Sequence, residues 1–240
     1  MSDSTFLNES FTVTSPNVAY TDNTITSKYV YQSTEVSGST VRVVNESMVF
    51  KTDRKVGKVG VMLVGWGGNN GSTATAGILA NKLGISWMTK EGKVDSNYYG
   101  SLTQASTVRL GLNAEGDSVY IPFKNMLPMV NPNDLVIGGW DISSMDIADS
   151  MNRAKVLEYD LQRQMIPHLK GLKPLPSIYH SDFIASNQFD RADNLIIGNK
   201  KHQLDTIRKD IREFKAKNEL DKVCELSPLT YFVDFVFFVL

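Results

Sequence analysis

Between residues 12 and 50 the apolar positions come in short alternations, such as Lys28-Tyr29-Val30-Tyr31 and Val41-Arg42-Val43, separated by Thr and Ser and with no helical stripe. A period of two predicts short β-strands, and Gly38, lying between two such runs, predicts a turn. The polar stretch 51–58, closing on Gly57, reads as a connector. The pattern then changes. Val59–Val64 is a continuous apolar run, too short for a helix and bounded by Lys58 and by glycines, which predicts a strand buried in a parallel sheet. Ala76, Leu79, Ala80 and Leu83 follow at helical spacing, with Ser72 as the expected N-cap and Gly84 as the stop. A strand therefore runs into a helix through a glycine loop.

Further along, residues 134–138 form a second buried-strand pattern, introduced by the turn Asn131-Pro132-Asn133. A long helix is expected over 144–165, ending near Pro167, and the stretch 172–181 with Pro174 and Pro176 reads as a loop. An amphipathic helix is predicted over 203–217, with Leu204, Ile207, Ile211 and Phe214 on its apolar face and charges of both signs on a solvated one. Residues 229–240 are almost wholly apolar and hold four of the chain's 11 Phe. Because a bilayer span takes about 20 apolar residues, this tail predicts a buried strand or an aggregation-prone segment rather than an anchor.

Charge narrows the partners. With 25 basic against 26 acidic residues the chain has a net charge of -1, which gives no electrostatic case for nucleic acid or an anionic membrane and favours a small ligand. The single cysteine, Cys224, excludes an intrachain disulfide framework and a Cys-based zinc site. Residues 1–20 are polar, with no basic lead and no apolar run, so no secretory signal is expected and the chain reads as cytoplasmic. The glycosylation patterns at Asn8, Asn45 and Asn70 are then chance matches. His168, His180 and His202 lack metal-ligand spacing, and no nucleophile motif or carboxylate pair stands out.

The candidate chemistry lies in Gly65-Trp66-Gly67-Gly68-Asn69-Asn70-Gly71-Ser72. Glycines between a strand and a helix let backbone amides approach a pyrophosphate at the positive end of the helix. The spacing departs from the usual dinucleotide fingerprint, which would place a glycine at Asn70 where this chain has it at Gly71. A tight turn that binds nothing is the alternative. A ribose-binding acid about 20 residues downstream would be Glu91 or Asp95, but neither follows a convincing strand. Asp141 does, at the carboxyl edge where open α/β sheets bind ligands, and is preferred; its other reading is a helix-capping aspartate ahead of Ser143 and Ser144.

From Gly60 to Ser72 the sequence GVMLVGWGGNNGS resembles the myo-inositol-phosphate synthase family, including the shifted glycine. SWMTKEGK from Ser86, NYYGSLTQAST from Asn97, LPMVNPNDLVIGGWDIS from Leu127 and RADNLI from Arg191 are similar to the same family in the same order, over residues 10–223. The resemblance implies an α/β fold: an incomplete Rossmann-type NAD-binding region over 58–223, preceded by a β-rich segment at 1–57 that belongs to the family's central domain, and followed by a divergent apolar tail at 224–240. It also implies an isomerase at the head of inositol and phospholipid biosynthesis. Glucose 6-phosphate is oxidised by bound NAD, closed by an intramolecular aldol step and reduced again, with no net redox change.

The family's NAD contacts correspond to Gly67, Gly68, Asn69 and Asn70 for the pyrophosphate loop and to Asp141 for the adenosine ribose, with Ser177, Ile178, Gln188 and Arg191 as further cofactor-side positions. After Val223 the chain departs from the family pattern. The catalytic residues, the sugar-phosphate pocket and most of the homo-oligomer interface are expected beyond Val223, so the resemblance implies a truncated member, inactive alone or acting as a regulatory partner of full-length subunits.

Overall fold

The structure is a computed structural model that describes residues 5–7, 11–183, 186–226 and 238–239. In chain order the strands are β1 (Thr5–Phe6), β2 (Val18–Tyr20), β3 (Thr24–Ser37), β4 (Thr40–Asp53), β5 (Val59–Val64), β6 (Ser86–Thr89), β7 (Gly92–Asp95), β8 (Thr107–Leu112), β9 (Ser118–Pro122), β10 (Val136–Asp141), β11 (Leu175–Pro176), β12 (Lys222–Leu226) and β13 (Phe238–Val239). The α-helices are α1 (Asn69–Leu83), α2 (Leu102–Ala105), α3 (Ile147–Ala154), α4 (Tyr159–Leu169) and α5 (Lys200–Lys217). They divide between two compact units, Met1–Val56 with Tyr98–Met129, and Gly57–Asn97 with Val130–Leu240.

The first unit is antiparallel for the most part. In place of the expected short strands, β3 and β4 form one hairpin of two 14-residue strands, paired from Thr24↔Asp53 to Ser37↔Thr40 around Gly38. Lys28, Gln32 and Glu35 interrupt the apolar alternation, but a strand exposed on both faces accommodates them without breaking its ladder. Tyr98–Met129 clusters with this unit, in which β9 pairs with β8 on one side and with β1 on the other.

The second unit is built on a sheet in the order β11-β10-β5-β12-β13. Its first four strands are parallel, and in order of appearance they read 3-2-1-4. That is the arrangement of a doubly wound nucleotide-binding sheet. Period two explains its layers. Val61 and Leu63 of β5 face a cluster with Ala76 and Ala80 of α1, Ile147 and Met151 of α3, and Leu161 and Met165 of α4. Met62 and Val64 face the opposite way, against Trp140, Leu220, Val223 and the Ile207, Ile211 and Phe214 side chains of α5. Truncating a fully buried member such as Met165 to alanine removes on the order of 2–5 kcal/mol.

Several expected boundaries move. Asn131 caps a short 3-10 turn by accepting from the Asn133 amide at 3.0 Å, so β10 starts at Val136 rather than Asp134 and continues to Asp141. The single long helix is two, because Lys155 takes a left-handed conformation (φ 51°) that ends α3, and Pro167 lies inside the last turn of α4 rather than beyond it. In α5, Leu204 points outward, and the buried residue beside it is Gln203, whose amide donates to the Ile196 carbonyl at 3.1 Å. Among the described residues, no helix is long and apolar enough to cross a membrane. The apolar tail 229–240 falls outside the described residues apart from β13, which pairs antiparallel with β12.

A side chain at Gly139 of β10 would run into β5: its φ is 155°, and an added Cβ would lie 2.1 Å from the Leu63 carbonyl oxygen. Backbone cannot yield as a side chain does. Gly139→Ala is therefore expected to separate the two strands and cost more than about 3 kcal/mol, read as a lowered urea midpoint or loss of soluble protein; an unchanged midpoint would show that the pairing is not this close.

Candidate functional site

The site grows from the end of β5. Its last residue, Val64, is in register with Trp140 of β10, and the chain then turns at Gly65, whose φ of 80° suits glycine. The Gly65 and Trp66 amides both donate to the Trp140 carbonyl, at 2.8 and 2.9 Å, which ties the loop to the neighbouring strand's end. Gly68 donates to the Gly65 carbonyl at 2.9 Å and is the N-cap of α1. The helix thus begins at Asn69, three residues before the expected start, and Ser72 is a buried residue of its first turns rather than the cap. Gly71 explains the shifted fingerprint: a Cβ there would meet the Trp66 carbonyl oxygen at 2.5 Å, so the third glycine stands where the helix presses on its own loop.

Asp141 is the last residue of β10 and is only 2% exposed. Its carboxyl group lies 3.2 Å from where a Cβ on Gly67 would be, so loop and acid meet at one sheet edge. The carboxylate accepts from the Ser143 amide at 3.0 Å and pairs with Arg191 at 3.6 Å. It does not cap α3; Asp146 does, accepting from the Asp149 amide at 2.9 Å. Glu91 and Asp95 lie on the separate β6–β7 hairpin, where Asp95 accepts from the Ser86 hydroxyl at 2.6 Å.

The remaining sequence-predicted residues converge on the same edge. Asp141 is in register with Pro176 of β11, so Ser177 and Ile178 follow directly beside it. Ser177 is held by two backbone bonds, donating to the Asn194 carbonyl and accepting from the Ile196 amide, each at 3.0 Å. Gln188 and Arg191 sit on a short 3-10 turn and are hydrogen-bonded to each other. Asn69 and Asn70 occupy the exposed first turn of α1.

Sequence reasoning missed four residues that complete the arrangement. Asn194 donates its side-chain amide to the Asp141 carbonyl at 3.0 Å. Asp193 accepts from the Ser144 amide at 2.7 Å and from its hydroxyl at 2.8 Å. Those two bonds, the amide first, hold the Asp193 carboxyl below the usual carboxylate range. The Ser150 hydroxyl and Arg153 both face Gly67, the latter donating to its carbonyl at 2.7 Å. Burial, then the nearby Arg191, lower the Arg153 guanidinium from its ordinary value, with Asp141 opposing them. Ser150 and Arg153 are three apart on α3, a spacing visible in the sequence; nothing there says which loop they face.

A dinucleotide fits this donor set. The glycine loop leaves room where side chains would crowd the edge, the positive end of α1 favours an anion, and among the described residues the buried Ser150 hydroxyl and the Arg191 Nη1 lack a protein hydrogen-bond partner.

Comparison with known proteins identifies the family. Residues 59–227 match the model of an NAD-binding domain family described as myo-inositol-1-phosphate synthase; NAD is that family's cofactor. The chain is 57% identical to inositol-3-phosphate synthase of Brassica napus over 226 residues and 53% identical to that of Dictyostelium discoideum over 219. These alignments cover 91% and 90% of the chain but 44% and 43% of the relatives, so the chain spans under half of their length. A crystal structure of inositol-3-phosphate synthase from Caenorhabditis elegans superposes with a TM-score of 0.85 at 45% identity, over 92% of this chain and 44% of that one.

Asp193 makes the edge pH-sensitive. A carboxyl group with a depressed folded pKa adds stability that is present above its unfolded value of about 3.9 and is lost as pH falls through the lower folded value. Asp193→Asn keeps an acceptor but drops the charge, so urea midpoints should fall less steeply below about pH 4 than in the parent. Asp160, depressed by the Met88 amide and then by Arg163, retains its own share of that acid slope. Parallel acid limbs would show that the Ser144 bonds do not depend on the charge.

Proposed function

The chain belongs to the myo-inositol-1-phosphate synthase family, and from that premise we propose that its second unit forms the adenosine and pyrophosphate side of the NAD site used to convert glucose 6-phosphate to inositol 3-phosphate, in the cytoplasm. The observation that carries this reading is the meeting of Gly67 and Asp141 at the carboxyl edge of adjacent parallel strands. When bound, NAD supplies the hydride acceptor and, once reduced, the hydride donor of a redox-neutral isomerisation.

The chain's own residues bind and orient. Gly67 and Gly68 keep the loop thin enough for close approach, and the first-turn amides at Asn69 and Asn70 face the pyrophosphate with the positive end of α1 behind them. Asp141 accepts from the ribose hydroxyls. Its Oδ1 is engaged by Ser143 and Arg191, which leaves Oδ2, the oxygen beside Gly67, for the ligand. Gln188 orients Arg191, and Ser177 with Ile178 closes the adenine side. These are cofactor-holding groups. Proton transfer to the sugar and stabilisation of an enolate need an acid–base group and cations placed at the reacting carbon, and we assign those roles to none of the residues at this edge.

A second reading, association with full-length subunits to lower their activity, is favoured by the β3–β4 hairpin, which leaves Val30, Val36, Val41, Val43 and Val49 more than half exposed. Added to active full-length synthase, the 240-residue polypeptide would then reduce turnover and co-elute with it.

For the main reading, the polypeptide should bind NAD or ADP-ribose in calorimetry, and Asp141→Asn should weaken that binding by about 10- to 100-fold, the worth of a hydrogen bond to a charged group. Purified alone and given NAD, it should release no measurable inositol phosphate from glucose 6-phosphate. Equal affinity of parent and variant would remove Asp141 from the site, and turnover near a full-length control would place the chemistry within these 240 residues.

A further inference from the structure

We propose that Arg153 is a positioning residue of the dinucleotide site, which fixes the Gly67–Gly68 peptide so that the loop presents its backbone to the pyrophosphate. The inference rests on the NAD reading above and adds to it a residue from α3 rather than from the glycine loop or the 188–191 turn. The peptide is held from both sides: its carbonyl accepts from Arg153 Nη2 at 2.7 Å, and its N–H donates to the Gly65 carbonyl at 2.9 Å. With both ends engaged the peptide plane cannot flip. A flip would set the Gly67 carbonyl against the Gly65 carbonyl and the Gly68 N–H against the Arg153 guanidinium, and would disturb the entry into α1 on which the exposed first-turn amides depend.

The ordinary explanation of an arginine in a helix's last turn is that it complements the helix dipole from solvent. Arg153 instead reaches a carbonyl 86 residues away in sequence. Its helix is anchored for that purpose by Ile147 and Met151, which are fully or almost fully buried in the core beneath the sheet edge. The Ser150 hydroxyl, one turn earlier on the same face, lies 3.2 Å from the place a Gly67 Cβ would take, so α3 abuts the loop at two points.

The test uses the whole 240-residue chain with ADP and adenosine as probes, each titrated into the parent, R153M and R153K, with thermal midpoints recorded on the same samples. Loss of the donor in R153M should weaken ADP by about tenfold and leave adenosine unchanged, because only the phosphate side depends on the peptide's orientation. R153K, whose ammonium can reach the same carbonyl, should recover most of the ADP affinity. If R153M does not fold, R153A makes the same comparison. Equal ADP affinity in parent and R153M would overturn the proposal alone, and so would a parallel loss for ADP and adenosine, which marks a merely structural arginine. A parent that binds no ADP would overturn the cofactor reading and this proposal with it.

Discussion

One backbone acceptor organises the site. The Trp140 carbonyl, at the end of β10, takes hydrogen bonds from two successive amides of the glycine loop, Gly65 and Trp66. The first continues the parallel ladder between β5 and β10; the second bends the chain away from it toward α1. Because the next residue of β10 is Asp141, whatever holds the loop to Trp140 also brings Gly67 against the carboxylate. The Trp140 side chain secures the acceptor, since its indole N–H donates to Asp210 of α5 at 2.9 Å and its ring is 1% exposed. The layer that holds α5 is thereby coupled to the loop, whose own Trp66 packs into the layer on the opposite face.

How much of this was legible depends on how local its cause is. β5 is found residue for residue, because an unbroken apolar run between glycines has few other solutions. The break between α3 and α4 is not. Lys155 in a left-handed conformation costs a lysine little more than many residues and leaves no mark in the apolar spacing. The early start of α1 escapes for a similar reason: Gly68 serves as N-cap with no side-chain bond, while Ser72, the residue with the better capping side chain, donates its hydroxyl back to the Gly68 carbonyl from inside the helix. Propensity named the right kind of residue and the wrong place.

The site divides in the same way. Gly67, Gly68 and Asp141 follow from strand-end logic alone, whereas Ser177, Ile178, Gln188 and Arg191 were readable only through the family resemblance. The structure supplies the physical reason for their grouping. The segment after α4 returns along β10, so that the Asn194 side chain bonds the Asp141 carbonyl and its amide bonds that of Ile142. Arg191 reaches Asp141 because of that return and not because of any spacing visible in its own stretch. Ser150 and Arg153 sit on a helix whose exposed face gives no sequence signal of a loop to bind.

The tryptophan between the first two glycines fixes where the loop meets its helix. A large side chain in a loop that must stay thin has to leave it, and Trp66 does so inward: it is 4% exposed and packs in the cluster shared by α1, α3 and α4. Its indole N–H donates to the Thr75 hydroxyl at 2.9 Å, and that hydroxyl donates to the Gly71 carbonyl at 2.8 Å. The loop is thus fastened to the second turn of α1, which draws the helix start down onto the Gly65 and Trp66 carbonyls. At that contact a Cβ on Gly71 would come within 2.5 Å of backbone oxygen, while Asn70 faces outward. The glycine requirement therefore follows the point where helix meets loop, which in this chain lies at residue 71, on the carbonyls of Gly65 and of the buried Trp66.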